Sequence, residues 1–215
     1  FHELVVKDPE TLAVWAGQEC RAELPKPGGG HRCARLLRAL LGADEVRGML
    51  EAVQGLYMLP ERDRGQASCE VMQGGQYHCA SMAGILGPTV NRKLLPYVRH
   101  SFCCPEAVVC SVVVQRHAAG GGGAGPRCRC AAEPLSYCSA VLALNPEEVE
   151  GGVFLQSGPN ADEQGFVALD AGDALLHQSD LRRGVRVRDG VLYVVIFHFK
   201  DSVLACLTNT APWYE

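Results

Sequence analysis

AGDALLHQSDLRRGVRVRDGVLYVVIFHF, residues 171–199, decides how the rest of this chain reads. It holds two apolar β runs, 174–177 and 191–199, joined by a basic segment and an Asp189-Gly190 turn. Asp-Gly between apolar runs predicts a β-hairpin, because glycine accepts positive φ without steric cost. Within the basic segment Arg186 and Arg188 alternate with Val185 and Val187. Period-two alternation predicts a strand with one apolar and one cationic face.

Working outward, residues 107–115 (AVVCSVVVQ) are β-branched and almost uniformly apolar, as in a strand buried on both faces. Further β candidates follow at close spacing over 135–144, 153–156, 165–169, 173–177, 185–187, 191–199 and 203–207. Residues 118–126 (AAGGGGAGP) read as a flexible loop.

The first hundred residues have a different texture. Asp8-Pro9-Glu10 has the chemistry of a helix start, predicting a helix to about Cys20. A second helix is expected from Arg32, with Leu36, Leu37, Leu40 and Leu41 on one side. A third starts at Asp44, with Val46, Met49, Leu50, Val53 and Leu56 at helical spacing. Residues 60–68 read as a charged loop, and 76–86 and 91–100 as helical pieces interrupted at Gly87-Pro88. Helices first and short strands afterwards predict an α+β fold. Its core is a double-stranded β-helix, or jelly roll, under an N-terminal helical layer. The expected organisation is one domain over 1–215, with 1–100 a mainly helical buttress and 107–208 the β-sandwich.

The net charge of −4 is spread over both signs, with no Lys/Arg run to track phosphates, which argues against nucleic acid as a direct partner. No apolar run approaches the roughly 18–20 residues of a membrane-spanning helix. Residue 1 opens no basic and apolar leader, so a signal peptide is expected to be absent or removed. Eleven cysteines are present without a Cys-x-x-Cys pair. Several lie in apolar β runs, where a free thiol behaves as a small hydrophobe, and a reducing compartment is expected. No Walker or Rossmann glycine pattern and no traceable Ser/His/Asp or Cys/His set is found.

Three blocks carry a resemblance: LSYCSAVLALN (135–145), EGGVF (150–154), and the opening stretch with its SDLRR (179–183). In order and spacing they resemble the iron- and 2-oxoglutarate-dependent oxygenases, particularly the prolyl-hydroxylase branch. The resemblance implies a His-x-Asp pair before Leu135, a second His, and an Arg on the last strand for 2-oxoglutarate. Here the first position falls on GPRCRCAA (125–132), with Cys128 and Cys130. The second His falls on Arg183, and the 2-oxoglutarate Arg on Leu192.

A guanidinium is always charged and cannot become a metal ligand. The resemblance therefore implies a degenerate, non-catalytic frame with no cofactor, used as a protein-interaction module. It is similar in this to poxvirus prolyl-hydroxylase-like immune modulators. That implies a host partner, an oxygen-sensing prolyl hydroxylase or the Ku DNA-end sensor, met in the cytoplasm or nucleus. Arg182, Arg183, Arg186 and Arg188, with the 120–129 loop, are the expected contacts. The alternative is an active Fe(II)/2-oxoglutarate protein hydroxylase. It would use His117 or His177 with Asp162, Asp170 or Asp173. A metal on His177 and His198, or on the Cys128/Cys130 thiolates, is weighed beside it.

Overall fold

A computed structural model of the chain describes residues 2–3, 13–14, 18–25, 31–61, 65–102, 104–119, 136–156, 164–178 and 181–208. In chain order these form β1 (His2–Glu3), β2 (Ala13–Val14), β3 (Gln18–Pro25), β4 (His31–Arg38), α1 (Ala43–Gln54), β5 (Leu59–Pro60), β6 (Gln66–Gln73), β7 (Gln76–Tyr77) and α2 (Ala80–Thr89). A π-helical turn, Val90–Leu94, runs into α3 (Leu95–Ser101). Then come β8 (Val108–Ala118), β9 (Cys138–Ala143), β10 (Glu150–Gln156), β11 (Gln164–Phe166), β12 (Ala174–Gln178), β13 (Arg182–Asp189), β14 (Val191–Lys200) and α4 (Val203–Thr208).

Two sheets face each other. The larger has the order β2-β3-β4-β12-β9-β14-β8-β6-β5, with β7 on β6; the smaller is β1-β11-β10-β13. Between them lies an apolar lumen lined by Val141, Val153, Leu155, Leu175, Leu181, Leu192, Val194 and Ile196. The outer face of the large sheet carries α1, α2 and α3 over a second core that includes Met49, Val53, Met82, Leu86, Tyr97, Phe197 and Phe199. Successive side chains of a strand point to opposite faces. Hence β14 gives Leu192, Val194 and Ile196 to the lumen, and Val195, Phe197 and Phe199 to the helices.

The mixed α/β layers and the large antiparallel sheet fit the expected jelly roll, but the N-terminal helical layer needs correction. In place of the helix expected to Cys20, residues 18–25 are strand β3; residues 4–12 lie outside the described residues. The helix expected from Arg32 is strand β4. Leu36 packs in the lumen while Leu37 packs under the helices, so a pattern read as one helical stripe serves both faces of a strand. The charged loop over 60–68 gives way at Gln66 to β6, which pairs β8. The strand expected over 203–207 is α4. The helical piece expected over 76–86 begins with strand β7 at Gln76–Tyr77, and its helix, α2, is not interrupted at Gly87-Pro88 but runs through Pro88 into the π-helical turn.

The Asp189-Gly190 turn is present, with Gly190 at φ 85°, yet it does not close a hairpin. β13 pairs β10 in the small sheet, whereas β14 pairs β8 and β9 in the large one. The turn passes the chain between layers. Among the described residues no helix is long and apolar enough to cross a membrane.

Candidate functional site: the barrel lumen

Alternation on β13 sorts its arginines. Val185 and Val187 pack on the lumen cluster, and Arg183 shares their face, 5% exposed. Arg186 points the other way and lies over the Phe154 ring, 5.8 Å from its centroid. Arg188, exposed, pairs with Glu150 at 3.0 Å. The structure thus separates Arg183 from the outward Arg186 and Arg188. Cys128, Cys130 and the side chain of Arg182 lie outside the described residues.

Opposite β13, the register of β14 on β8 sets Leu192 against His117, and Val194 against Gln115. Cross-strand partners share a face, so His117 and Gln115 enter the lumen with Leu192. The His117 Nε2–H donates to Gln115 Oε1 at 3.2 Å. Asn145 fixes where β14 begins. Its Oδ1 accepts the Tyr193 N–H at 2.9 Å, and its Nδ2 donates to the Val191 carbonyl and Glu148, each at 2.8 Å.

Burial of the ring, aided by the Arg183 cation, pushes the His117 pKa down to about 4. In the unfolded chain the ring titrates near its ordinary value, roughly 6.5. Between these values the unfolded state binds the extra proton. Stability is then full above the unfolded value and declines as pH falls toward the folded one. The loss is about 2 to 3 kcal/mol. His117→Gln should remove that share of the acid limb in urea-unfolding midpoints taken between pH 7 and pH 4. Parallel profiles for variant and wild type would refute it.

A polar row crosses the large sheet on the lumen side. Register sets Ala34 against His177, His177 against Ser139, and His198 against both Ser139 and Ser111. Ser139 Oγ and His198 Nδ1 are 3.1 Å apart, and the buried His177 donates from Nδ1 to the Gln178 carbonyl at 2.9 Å. His177 and His198 thus share the lumen face, as weighed from sequence, with a serine between them. Among the described residues no three His, Cys, Asp or Glu side chains converge as metal ligands. Asp170 and Asp173, candidates for the carboxylate, are instead tied to Arg38 at 3.3 and 2.5 Å. Asp162 lies outside the described residues.

Two facing sheets, a closing β12-β13-β14 run and a helical layer on the larger sheet define the fold of the 2-oxoglutarate–iron(II) oxygenases. The solved structures bear this out. An oxidoreductase of the 2OG-Fe(II) oxygenase family from Burkholderia pseudomallei superposes with a TM-score of 0.62 at 17% identity, over 78% of this chain and 84% of that one. A Trichoplax adhaerens prolyl hydroxylase, solved with a hypoxia-inducible-factor peptide, gives 0.54 at 14% identity over 78% and 84%. HygX from Streptomyces hygroscopicus, solved with nickel, 2-oxoglutarate and hygromycin B, gives 0.55 at 12% identity over 78% and 82%. No family model matches the chain. No curated protein matches it.

These neighbours correct one expectation, that no cofactor belongs here. The Burkholderia pseudomallei neighbour is of the 2OG-Fe(II) oxygenase family, and HygX is solved with nickel and 2-oxoglutarate. Against that background the described lumen residues of this chain do not compose the ligand set. The resemblance assigns the second His position to Arg183, a permanent cation with no lone pair to offer.

Proposed function

We propose that this chain is an oxygenase-fold protein that has exchanged hydroxylation for protein binding. One observation carries the reading: Arg183, buried in the lumen and close enough for its charge to act on His117. The resemblance assigns a metal-ligand imidazole to that position, and a guanidinium does not deprotonate in proteins to serve as one. Leu192, fully buried, puts an alkyl chain where the resemblance implies a cation for 2-oxoglutarate. Both departures sit on a frame that keeps two facing sheets and the β12-β13-β14 run of the fold. Retained structure beside altered chemistry is what a fold used for its surface would show.

The outer face of β13 supports an acidic protein surface as the partner, with Arg188 exposed and Arg186 held over Phe154. An oxygen-sensing prolyl hydroxylase and Ku, the partners implied by the sequence resemblance, are the first to assay. Two measurements test the proposal. With Fe(II), ascorbate and 2-oxoglutarate, succinate should stay at the no-protein background; succinate release above it would return the chain to the active hydroxylases. In titrations against each purified partner, one should bind, and R186E with R188E should weaken it at least tenfold. Failure of both to bind would remove the partner assignment.

A further inference from the structure

Thiols surround the C-terminal helix α4. Cys206 is its one buried residue, 5% exposed, while Val203, Leu204 and Leu207 are 58%, 70% and 68% exposed. The Cys110 thiol of β8 donates to the Cys206 carbonyl, with Sγ 3.6 Å from the oxygen, so the two cysteines are neighbours across the β8–α4 contact. The β6–β7 turn closes over the pair. The Gly75 N–H donates to the Cys110 carbonyl at 2.8 Å, and a Cβ added at Gly75 would stand 3.8 Å from the Cys206 sulfur. A second thiol, Cys104, donates to the Asp201 carbonyl at 3.6 Å, at the entry to the helix. Two S–H groups therefore hold the α4 segment to the body of the protein.

We propose that Cys110 and Cys206 form a redox couple that hydrogen peroxide converts to a disulfide, fixing α4 to β8. One sulfur, as thiolate, attacks peroxide: an S–O bond forms, the O–O bond breaks, and water leaves. The second sulfur then displaces the oxygen from the sulfenic acid. The S–S bond forms and a second water leaves. Two thiols and one peroxide give one disulfide and two waters, a two-electron oxidation of the sulfur pair matched by a two-electron reduction of peroxide.

The thiol form is the resting one. Burial and the neighbouring Cys110 push the Cys206 thiol up to about 12, so little thiolate is present at neutral pH. Peroxide reaches the pair when α4 lifts, which its single buried side chain makes easy. Once formed, the bond spans 96 residues of sequence, a long loop whose closure constrains the unfolded chain.

The test is a peroxide titration of the reduced full chain, followed by peptide mapping and thermal unfolding. The expected product is a Cys110–Cys206 cross-linked peptide, reversed by phosphine, with a Tm rise of about 5 to 10 °C. Cys110→Ser and Cys206→Ser should each abolish both changes and leave the remaining cysteine as a dimedone-trapped sulfenic acid. The wild-type map needs no variant to fold. A map in which Cys110 or Cys206 joins another cysteine, or stays reduced where Cys79 is fully oxidised, overturns the proposal.

Discussion

Gly151→Ala is expected to remove most of the protein's folding stability, on the order of 4 kcal/mol or more. Gly151 has φ 140°, a conformation that side chains rarely adopt, at the register shift where β10 joins β13. A Cβ there would stand 2.0 Å from the Arg186 carbonyl oxygen and 2.9 Å from its carbon. Both are backbone atoms of the paired strand, so no rotamer change relieves the clash and the strands must part. Their parting would withdraw β13, which places Arg183 in the lumen. Gly152→Ala is the internal control. At φ 150° it has the same conformational cost, but its Cβ would meet nothing within 4 Å, and a loss of about 1 kcal/mol is expected. Urea unfolding followed by circular dichroism separates the two. Similar losses for both would show that the clash is not what matters.

Asp173→Ala should cost about 3 to 5 kcal/mol. Asp173 is 2% exposed and its carboxylate is fully used. Oδ1 accepts the Ala39 N–H at 2.8 Å. Oδ2 accepts the Asp170 N–H at 2.8 Å and the Arg38 guanidinium at 2.5 Å. Ala39, at φ 48°, is the residue that turns the chain out of β4 toward α1, so this carboxylate sets how the helical layer is attached. Removing it strands two part-buried backbone donors and a partly buried cation. Asp173→Asn should be nearly as damaging, because whichever way the amide turns, its NH2 meets a donor. Arg38→Met leaves both backbone bonds and should cost only about 1 to 2 kcal/mol. Equal midpoints for Asp173→Asn and wild type would contradict this ordering.

The closing part of the fold was legible because its strands alternate or are doubly buried within short windows, as β8, β12 and β14 are. What failed was periodicity where a strand serves two cores. Leu36 and Leu37 are adjacent and both buried, on opposite faces, and with Leu40 and Leu41 they imitate a helical stripe. β6, QASCEVMQ, is polar toward its lumen-side neighbours and carries no apolar run to betray it. α4 failed for the opposite reason. Six residues rich in Val and Leu look like a strand when nothing local shows that most of them face water.

For the site, Arg183 and Leu192 come from the family resemblance, and the structure adds that both are buried on the lumen face. From sequence His117 enters only as a metal ligand of the alternative, active reading. Its place in the lumen follows from its register with Leu192, a pairing no local pattern contains. The Asp173–Arg38 and Asn145–Val191 contacts join residues 135 and 46 positions apart, beyond any sequence window. The Asp-Gly turn misled differently. Its local chemistry was right, but whether the flanking strands pair is decided by the layers they enter.

The two-sided burial of β14 means that lumen and helix seat are walls of one partition only a strand thick. A change that refits the helices around Phe197 or Phe199 shifts the backbone that also holds Leu192, Val194 and Ile196. Drift on the exterior is therefore inherited by the interior, and a lineage selecting this protein for its outside cannot leave its inside untouched.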